Sequence, residues 1–273
     1  MSEPMSEDLV LEDVAVRYGD VVAVEGVRAV ARPGEITAVT GHSGAGKTSL
    51  LWAVGGLLES GSSGRIRLGE RQIGDEAGSR DAGAVLIPQG SALAEVLTAR
   101  DNIAVPLVAA GMSGGDAGAA ADRALASVGL HEHAGHLAEE LSGGQRQRVA
   151  VARGLALSSL RLAAGSLVLL ADEPTSELDH DTRERVVVLL QDVARRGGIV
   201  LLATHDPEVA EVAAARWHLD DGRLQTALPY GNAEFRPHCR RAMRDPVCIA
   251  VGQCERGGSR AACPSGNAKG VRR

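Results

Sequence analysis

Gly41-His42-Ser43-Gly44-Ala45-Gly46-Lys47-Thr48 lies between two stretches that read as regular structure. Gly34-Glu35-Ile36-Thr37-Ala38-Val39-Thr40 precedes it and Thr48-Ser49-Leu50-Leu51-Trp52-Ala53-Val54 follows it. The first has the pattern of a short buried strand, and the second opens a helix. Glycines joining a strand to a helix N-terminus leave bare backbone N–H groups and a partial positive charge, a surface suited to phosphate oxygens. The spacing Gly-x-x-x-x-Gly-Lys-Thr adds the Lys47 ammonium for β- and γ-phosphates and the Thr48 hydroxyl for Mg²⁺. Lysine occurs only at positions 47 and 269, and one of them stands where a compact charge on a flexible stem is required.

Working outward, Ser166-Leu167-Val168-Leu169-Leu170-Ala171 is apolar enough for a central parallel strand buried on both faces, and it ends in Asp172-Glu173-Pro174. Paired acids at the end of such a strand are costly unless a metal or another partner satisfies them. Asp172 is therefore expected to hold Mg²⁺ beside Thr48, and Glu173 to act as base for an attacking water. A further buried strand, Ile199-Val200-Leu201-Leu202-Ala203, ends in Thr204-His205-Asp206, and His205 is expected at the γ-phosphate, holding the water in line. Gln89, after the strand Ala84-Val85-Leu86-Ile87-Pro88, carries an amide able to reach Mg²⁺ or water. Tyr18 is one of very few aromatic residues and is placed to stack on adenine. Leu141-Ser142-Gly143-Gly144-Gln145 offers N–H groups and a hydroxyl with no base, nucleophile or metal ligand nearby. It becomes useful only if a phosphate is brought to it.

In this order the motifs resemble those of the ATP-binding subunit of an ABC transporter, over roughly residues 8 to 226. Tyr18 is similar to the adenine-stacking loop and Gly41 to Thr48 to the Walker A loop. Gln89 matches the Q-loop and Leu141 to Gln145 the family signature. Leu167 to Asp172 match Walker B, Glu173 the catalytic glutamate, Ser176-Glu177-Leu178-Asp179 the D-loop, and His205 the switch histidine. The resemblance implies an α/β fold: a P-loop NTPase core with a mostly parallel central sheet, an N-terminal antiparallel β region and an inserted helical subdomain at about 90–153. It implies ATP and Mg²⁺ as cofactors. Gly41, His42, Ser43, Gly44, Ala45, Gly46, Lys47, Thr48, Ser49 and Gln89 would line one ATP. Ser142, Gly143, Gly144, Gln145 and Asp179 would act across a head-to-tail dimer, an isologous pairing of two copies or of one copy with a homologous subunit. Thr48, Gln89 and Asp172 would hold the Mg²⁺, with Glu173, His205 and Lys47 as the catalytic set. Asp101-Asn102-Ile103-Ala104-Val105-Pro106-Leu107-Val108-Ala109-Ala110-Gly111-Met112 resembles the lipoprotein-release and macrolide-export branch. That branch implies a partner permease with few spanning helices and a large extracytoplasmic domain.

The remaining composition constrains the reading. The longer apolar runs break at charges or glycines within a dozen residues, short of a spanning helix. The acidic start, Met1-Ser2-Glu3-Pro4-Met5-Ser6-Glu7-Asp8, does not have the form of a signal peptide. The expectation is a cytoplasmic chain, peripheral at the inner face of the cell membrane through its permease. Alanine-rich Ala117 to Val128 and the run Gln145 to Leu157 read as helices, and Ser158-Ser159-Leu160-Arg161-Leu162-Ala163-Ala164-Gly165 as a surface loop. Residues 227–273 differ from the body. They contain all four cysteines, Cys239, Cys248, Cys254 and Cys263, and from Gly231 nine Lys/Arg stand against three Asp/Glu. Residues 1–230 therefore carry −12 against a whole-chain −6. A disordered extension, a zinc site without any Cys-x-x-Cys pair, and an electrostatic tether compete for this tail. The acidic body argues against general nucleic-acid binding. The alternative to transport is a soluble ABC ATPase serving a cell-division or cofactor-assembly complex. DNA-repair types need coiled-coil arms that this chain lacks.

Overall fold

The computed structural model describes residues 7–229 apart from 59 and 74. The chain divides into two units, Met1–Gly231 and Asn232–Arg273. The expectations for the cysteines and the basic charge of the tail fall outside the described residues.

Apolar residues alternate along the first two strands because each shows one face to the core. In β1 (Leu9–Tyr18), Leu9, Leu11, Val14 and Val16 are buried, and in β2 (Val21–Ala31) Val24, Val27, Ala29 and Ala31 are. The chain continues through β3 (Ile36–Thr40), α1 (Lys47–Gly55), β4 (Ser62–Leu68), β5 (Arg71–Ile73), α2 (Glu76–Asp81) and β6 (Ala84–Ile87). Helices α3 (Ala99–Ala109), α4 (Gly114–Ser127) and α5 (Gly143–Ala163) follow, with short 3-10 turns at His131–His133 and Ala138–Glu140. The last part is β7 (Val168–Asp172), α6 (His180–Arg195), β8 (Ile199–Ala203), α7 (Pro207–Ala210), β9 (Ala215–Asp220) and β10 (Arg223–Pro229).

Two sheets form. The antiparallel sheet has the order β2-β1-β4-β5, and the larger sheet the order β10-β9-β3-β8-β7-β6. Within the latter, β9, β3, β8, β7 and β6 pair in parallel and only β10 runs antiparallel. This is the expected α/β architecture, and its central strands β3, β8 and β7 are buried on both faces. Leu169, Ala171, Val200 and Leu202 join a core shared with α3 to α6. Val168, Leu170, Leu201 and Ala203 join a second core shared with α1 and the antiparallel sheet. Each fully buried leucine of these strands removes enough apolar surface to contribute about 2 kcal/mol.

The helical stretch differs from expectation at its end. Residues 158–163 are not a surface loop: α5 continues through them as one helix of 21 residues, capped at Ala164 and followed by Gly165 at φ 99°. Leucine, alanine and arginine are good helix formers. Leu160 and Leu162 also pack on the core, and the buried Ser158 Oγ satisfies itself on the Gly154 carbonyl at 2.7 Å. Within the Asp101–Met112 stretch, α3 carries Pro106 in its interior. Among the described residues no helix is long and apolar enough to cross a membrane.

Candidate functional site

The C-terminal ends of β3, β7 and β8 deliver the loop, the acids and the histidine to one edge of the parallel sheet. Ligands of open α/β sheets bind at this edge. Between β3 and α1 the loop wraps tightly enough to need glycine for two reasons at once. Gly41 has φ 151° and Gly46 φ 98°, and a Cβ on either would stand 2.3 Å from a backbone oxygen, that of Leu219 or of Ala23. Gly46 is the N-cap of α1 and supplies no side-chain acceptor. The first-turn N–H groups of α1 therefore have no cap of their own and face outward, as an anion site requires.

Lys47 is buried and folds back across this loop, donating to the carbonyls of Gly41 at 2.9 Å and His42 at 3.0 Å. Its ammonium has a third proton free for a ligand. Thr48 Oγ1 donates to Asp172 Oδ2 at 2.7 Å, joining positions 124 residues apart. Asp172 is 1% exposed, and its other oxygen, Oδ1, has no hydrogen-bond partner among the described residues. Burial first, and then the neighbouring Glu173 charge, push the Asp172 carboxyl above the usual carboxylate range, against the pull of Thr48 and Lys47. A hydroxyl and an orphaned buried carboxylate oxygen side by side are the oxygen donors a hard divalent cation takes.

Glu173 leaves β7 in the left-handed region at φ 48°, which costs a non-glycine residue about 1 kcal/mol or more. The bend turns its carboxylate into the cavity, 4.0 Å from Lys47 Nζ and 2.9 Å from His205 Nδ1. The resulting cavity, about 390 Å³, is lined by Ser43, Gly44, Gly46, Lys47, Thr48, Ser49, Gln89, Asp172, Glu173 and His205, together with Ala23. Ala23, on β2, was not identified from sequence, and a lone alanine in a strand gives no signal to find it. Tyr18 stands at the margin, half exposed, with its hydroxyl 3.4 Å from Ser49 Oγ.

The signature residues do not line this cavity. Ser142 caps α5 by accepting from Gln145 N–H at 3.3 Å, and Gln145 Oε1 accepts from Ser142 N–H at 2.8 Å. Such a reciprocal box fixes the entry of the helix. Asp179 likewise caps α6, accepting from Thr182 N–H at 3.0 Å and Thr182 Oγ1 at 2.9 Å, and these bonds hold its carboxyl below the usual range. The two loops touch within one chain: a Cβ on Gly143 would lie 2.6 Å from Glu177 Oε2, and one on Gly144 3.0 Å from the Glu177 carbonyl.

The buried acid carries a stability cost that can be measured. Asp172→Asn keeps an acceptor for Thr48 and removes the charge. A raised carboxyl favours the protonated native form, so the cost of ionising it is absent in acid and grows as pH rises from the ordinary aspartate range through the raised value. The variant is expected to unfold at a higher temperature than wild type at neutral pH without nucleotide. The difference should close on acidification. Thermal melts across pH check it; a variant less stable at neutral pH would contradict the assigned cost.

A sequence model of the ABC transporter family matches residues 24–176. The macrolide export ATP-binding/permease protein MacB of Marinobacter nauticus is 36% identical over 224 residues, 78% of this chain and 33% of that protein. The methionine import ATP-binding protein MetN of Mesorhizobium japonicum is 38% identical, over 80% of this chain and 60% of its own length. The lipoprotein-releasing system ATP-binding protein LolD of Anaeromyxobacter dehalogenans is 36% identical, over 84% and 98%. The chain thus spans about a third of MacB and under two thirds of MetN. Among solved structures, a dimeric ATP-binding cassette in a post-hydrolysis state with ADP and phosphate superposes with a TM-score of 0.73 at 28% identity, covering 82% of this chain and 99% of that one. With the phosphate loop, the buried acids and the histidine gathered at one end of a cassette-like sheet, the chain belongs to the ABC transporter family, whose ATP-binding domains hydrolyse ATP.

Proposed function

We propose that this chain is the ATP-hydrolysing subunit of an export-type transporter, working in pairs on a separate membrane permease. The observation that carries the proposal is the convergence of Lys47, Thr48, Asp172, Glu173 and His205 on one cavity at the C-terminal sheet edge. We assign the ATP-binding unit to residues 8–226, with a helical subdomain at about 90–153 and a separate segment at 227–273, although β10 carries the sheet of the first unit on to Pro229.

In this reading the loop from Gly41 to Ser49 binds the phosphates through backbone N–H groups and the third Lys47 proton, and Tyr18 packs on the adenine. Thr48, Asp172 and Gln89 hold Mg²⁺, which when bound neutralises charge on the β- and γ-phosphates. Glu173 takes a proton from the attacking water, and His205, already bonded to its carboxylate, holds that carboxylate and the γ-phosphate in line. Lys47 stabilises the charge that builds on the phosphate oxygens. Catalysis is positioning and charge stabilisation, with no covalent intermediate. The free outer surfaces of Ser142, Gly143, Gly144 and Gln145 meet the nucleotide of a second copy, with Asp179 beside them, so two ATP close a head-to-tail dimer. Closure favoured by ATP and opening after hydrolysis drive the permease. The export assignment draws on the Asp101–Met112 stretch and on similarity to MacB and LolD, although an importer subunit is as similar.

Affinity purification of Glu173→Gln with ATP and Mg²⁺ from detergent-solubilised cells tests this. The expected co-purifying protein is a permease with few spanning helices and a large extracytoplasmic domain. Recovery of soluble partners alone would overturn transport and favour the assembly-complex alternative.

A further inference from the structure

One turn into α5, Gln147 is 1% exposed, yet its side chain is polar and only half satisfied. Its Nε2 donates to the backbone carbonyl of Glu173 at 3.3 Å, while its Oε1 is buried with no hydrogen-bond partner among the described residues. Stability does not explain such a residue. An orphaned buried carbonyl forfeits about 1–3 kcal/mol, and an apolar side chain of the same length would avoid that cost. What the amide does hold is a peptide under strain. Glu173 sits at φ 48°, and from that bend its carboxylate reaches Lys47 and His205.

The Glu173 peptide is pinned from three directions. Its N–H donates to the Ala203 carbonyl of β8 at 3.0 Å. Its carbonyl accepts from Ser176 N–H at 3.3 Å and Ser176 Oγ at 3.1 Å, within its own turn. Gln147 is the third tie and comes from the helix that begins at Gly143. Positions four apart share a helix face, so Gln147 stands below Gly143 on the side of α5 that faces the turn after Glu173. At the tip of the same side, Gly143 and Gly144 are in contact with Glu177. One helical turn thus grips the 173–177 segment at both ends.

We propose that Gln147 is a positioning residue that fastens the Glu173 backbone to the first turn of α5. The turn that meets the partner's nucleotide and the carboxylate that works on the chain's own nucleotide then move as one piece. This rests on the reading of Glu173 as the base. Gln147 touches neither substrate nor reacting atoms; it acts through the placement of Glu173.

Gln147→Met in the full-length chain keeps the length and removes the donor. The expected result is a kcat about tenfold lower, with the KM and Kd for ATP within about twofold of wild type. The unfolding temperature should be unchanged or raised. Plain packing would move stability and leave kcat alone, so the two roles separate. Gln147→Glu gives a second reading, because a protonated carboxyl can donate to the Glu173 carbonyl and a carboxylate cannot. Its kcat should fall with rising pH more steeply than that of wild type or of the Met variant. A wild-type kcat in Gln147→Met, a loss of kcat only in step with lost stability, or a Glu variant whose profile parallels wild type would overturn the proposal. Glu173→Gln measured alongside separates the two levels. If it is inactive while Gln147→Met is fully active, only the positioning role fails; if it hydrolyses at the wild-type rate, the base assignment fails too.

Discussion

Glu173→Gln is expected to keep ATP binding, to stop turnover and to accumulate as a dimer in ATP and Mg²⁺. The substitution preserves size and leaves an amide oxygen to accept from His205 Nδ1, which stands 2.9 Å from the carboxylate. What it removes is the only function an amide cannot supply, acceptance of a proton from water. General-base catalysis contributes about 10²–10⁴-fold, and a loss of that size in kcat is the expected readout. Binding should not suffer, because the variant also removes a negative charge from a cavity about to receive a polyanion. If ATP joins two copies and hydrolysis parts them, blocking the second event leaves the first in place. Size-exclusion chromatography of the variant with and without MgATP reads this directly, alongside phosphate release. Ser142→Ala in the same background should reverse the dimer shift while leaving the monomer's ATP affinity nearly intact. The lost helix cap costs about 1 kcal/mol, too little to unfold the domain. Hydrolysis by Glu173→Gln at the wild-type rate would exclude this residue as the base. Abolished nucleotide binding in the Ser142→Ala monomer would exclude action across the dimer.

Lys47→Ala is expected to weaken ATP binding at least about 100-fold. Hydrogen bonds from a charged donor contribute about 1.5–3 kcal/mol, and Lys47 has one proton for the ligand beyond the two that brace the loop. Its removal acts twice. The β- and γ-phosphates lose their nearest cation, and the carbonyls of Gly41 and His42 lose the ammonium that draws them together. The carboxylates of Asp172 and Glu173, both buried, then face the triphosphate without the lysine's charge between them. Calorimetric titration with ATP and Mg²⁺, with circular dichroism to confirm folding, measures the loss. An affinity within a few-fold of wild type would mean that the loop binds through its backbone alone.

The chemistry was written locally and the fold followed from it. Runs such as Leu167 to Ala171 and Ile199 to Ala203 have no polar side to turn outward, which leaves only a strand covered on both faces. Spacing alone placed Lys47 and Thr48 at a helix start, and the end of an apolar strand placed Asp172 and Glu173 at a sheet edge. These are short-range properties: backbone freedom, periodicity, and the cost of a charge at the end of a buried segment. Contacts between distant segments have no such local mark. Whether Ser158 to Ala163 formed a loop or a sixth turn of helix depended on what Leu160 and Leu162 would pack against. That Ala23 walls the cavity depends on how β2 passes the phosphate loop, where a Cβ on Gly46 would strike its carbonyl. Nothing in the sequence marks Gln147, a polar residue two positions past the signature. Only the packing of α5 on the turn beyond β7 buries it and aims its amide at Glu173, because a side chain's burial is set by the surfaces folded against it and not by its neighbours along the chain.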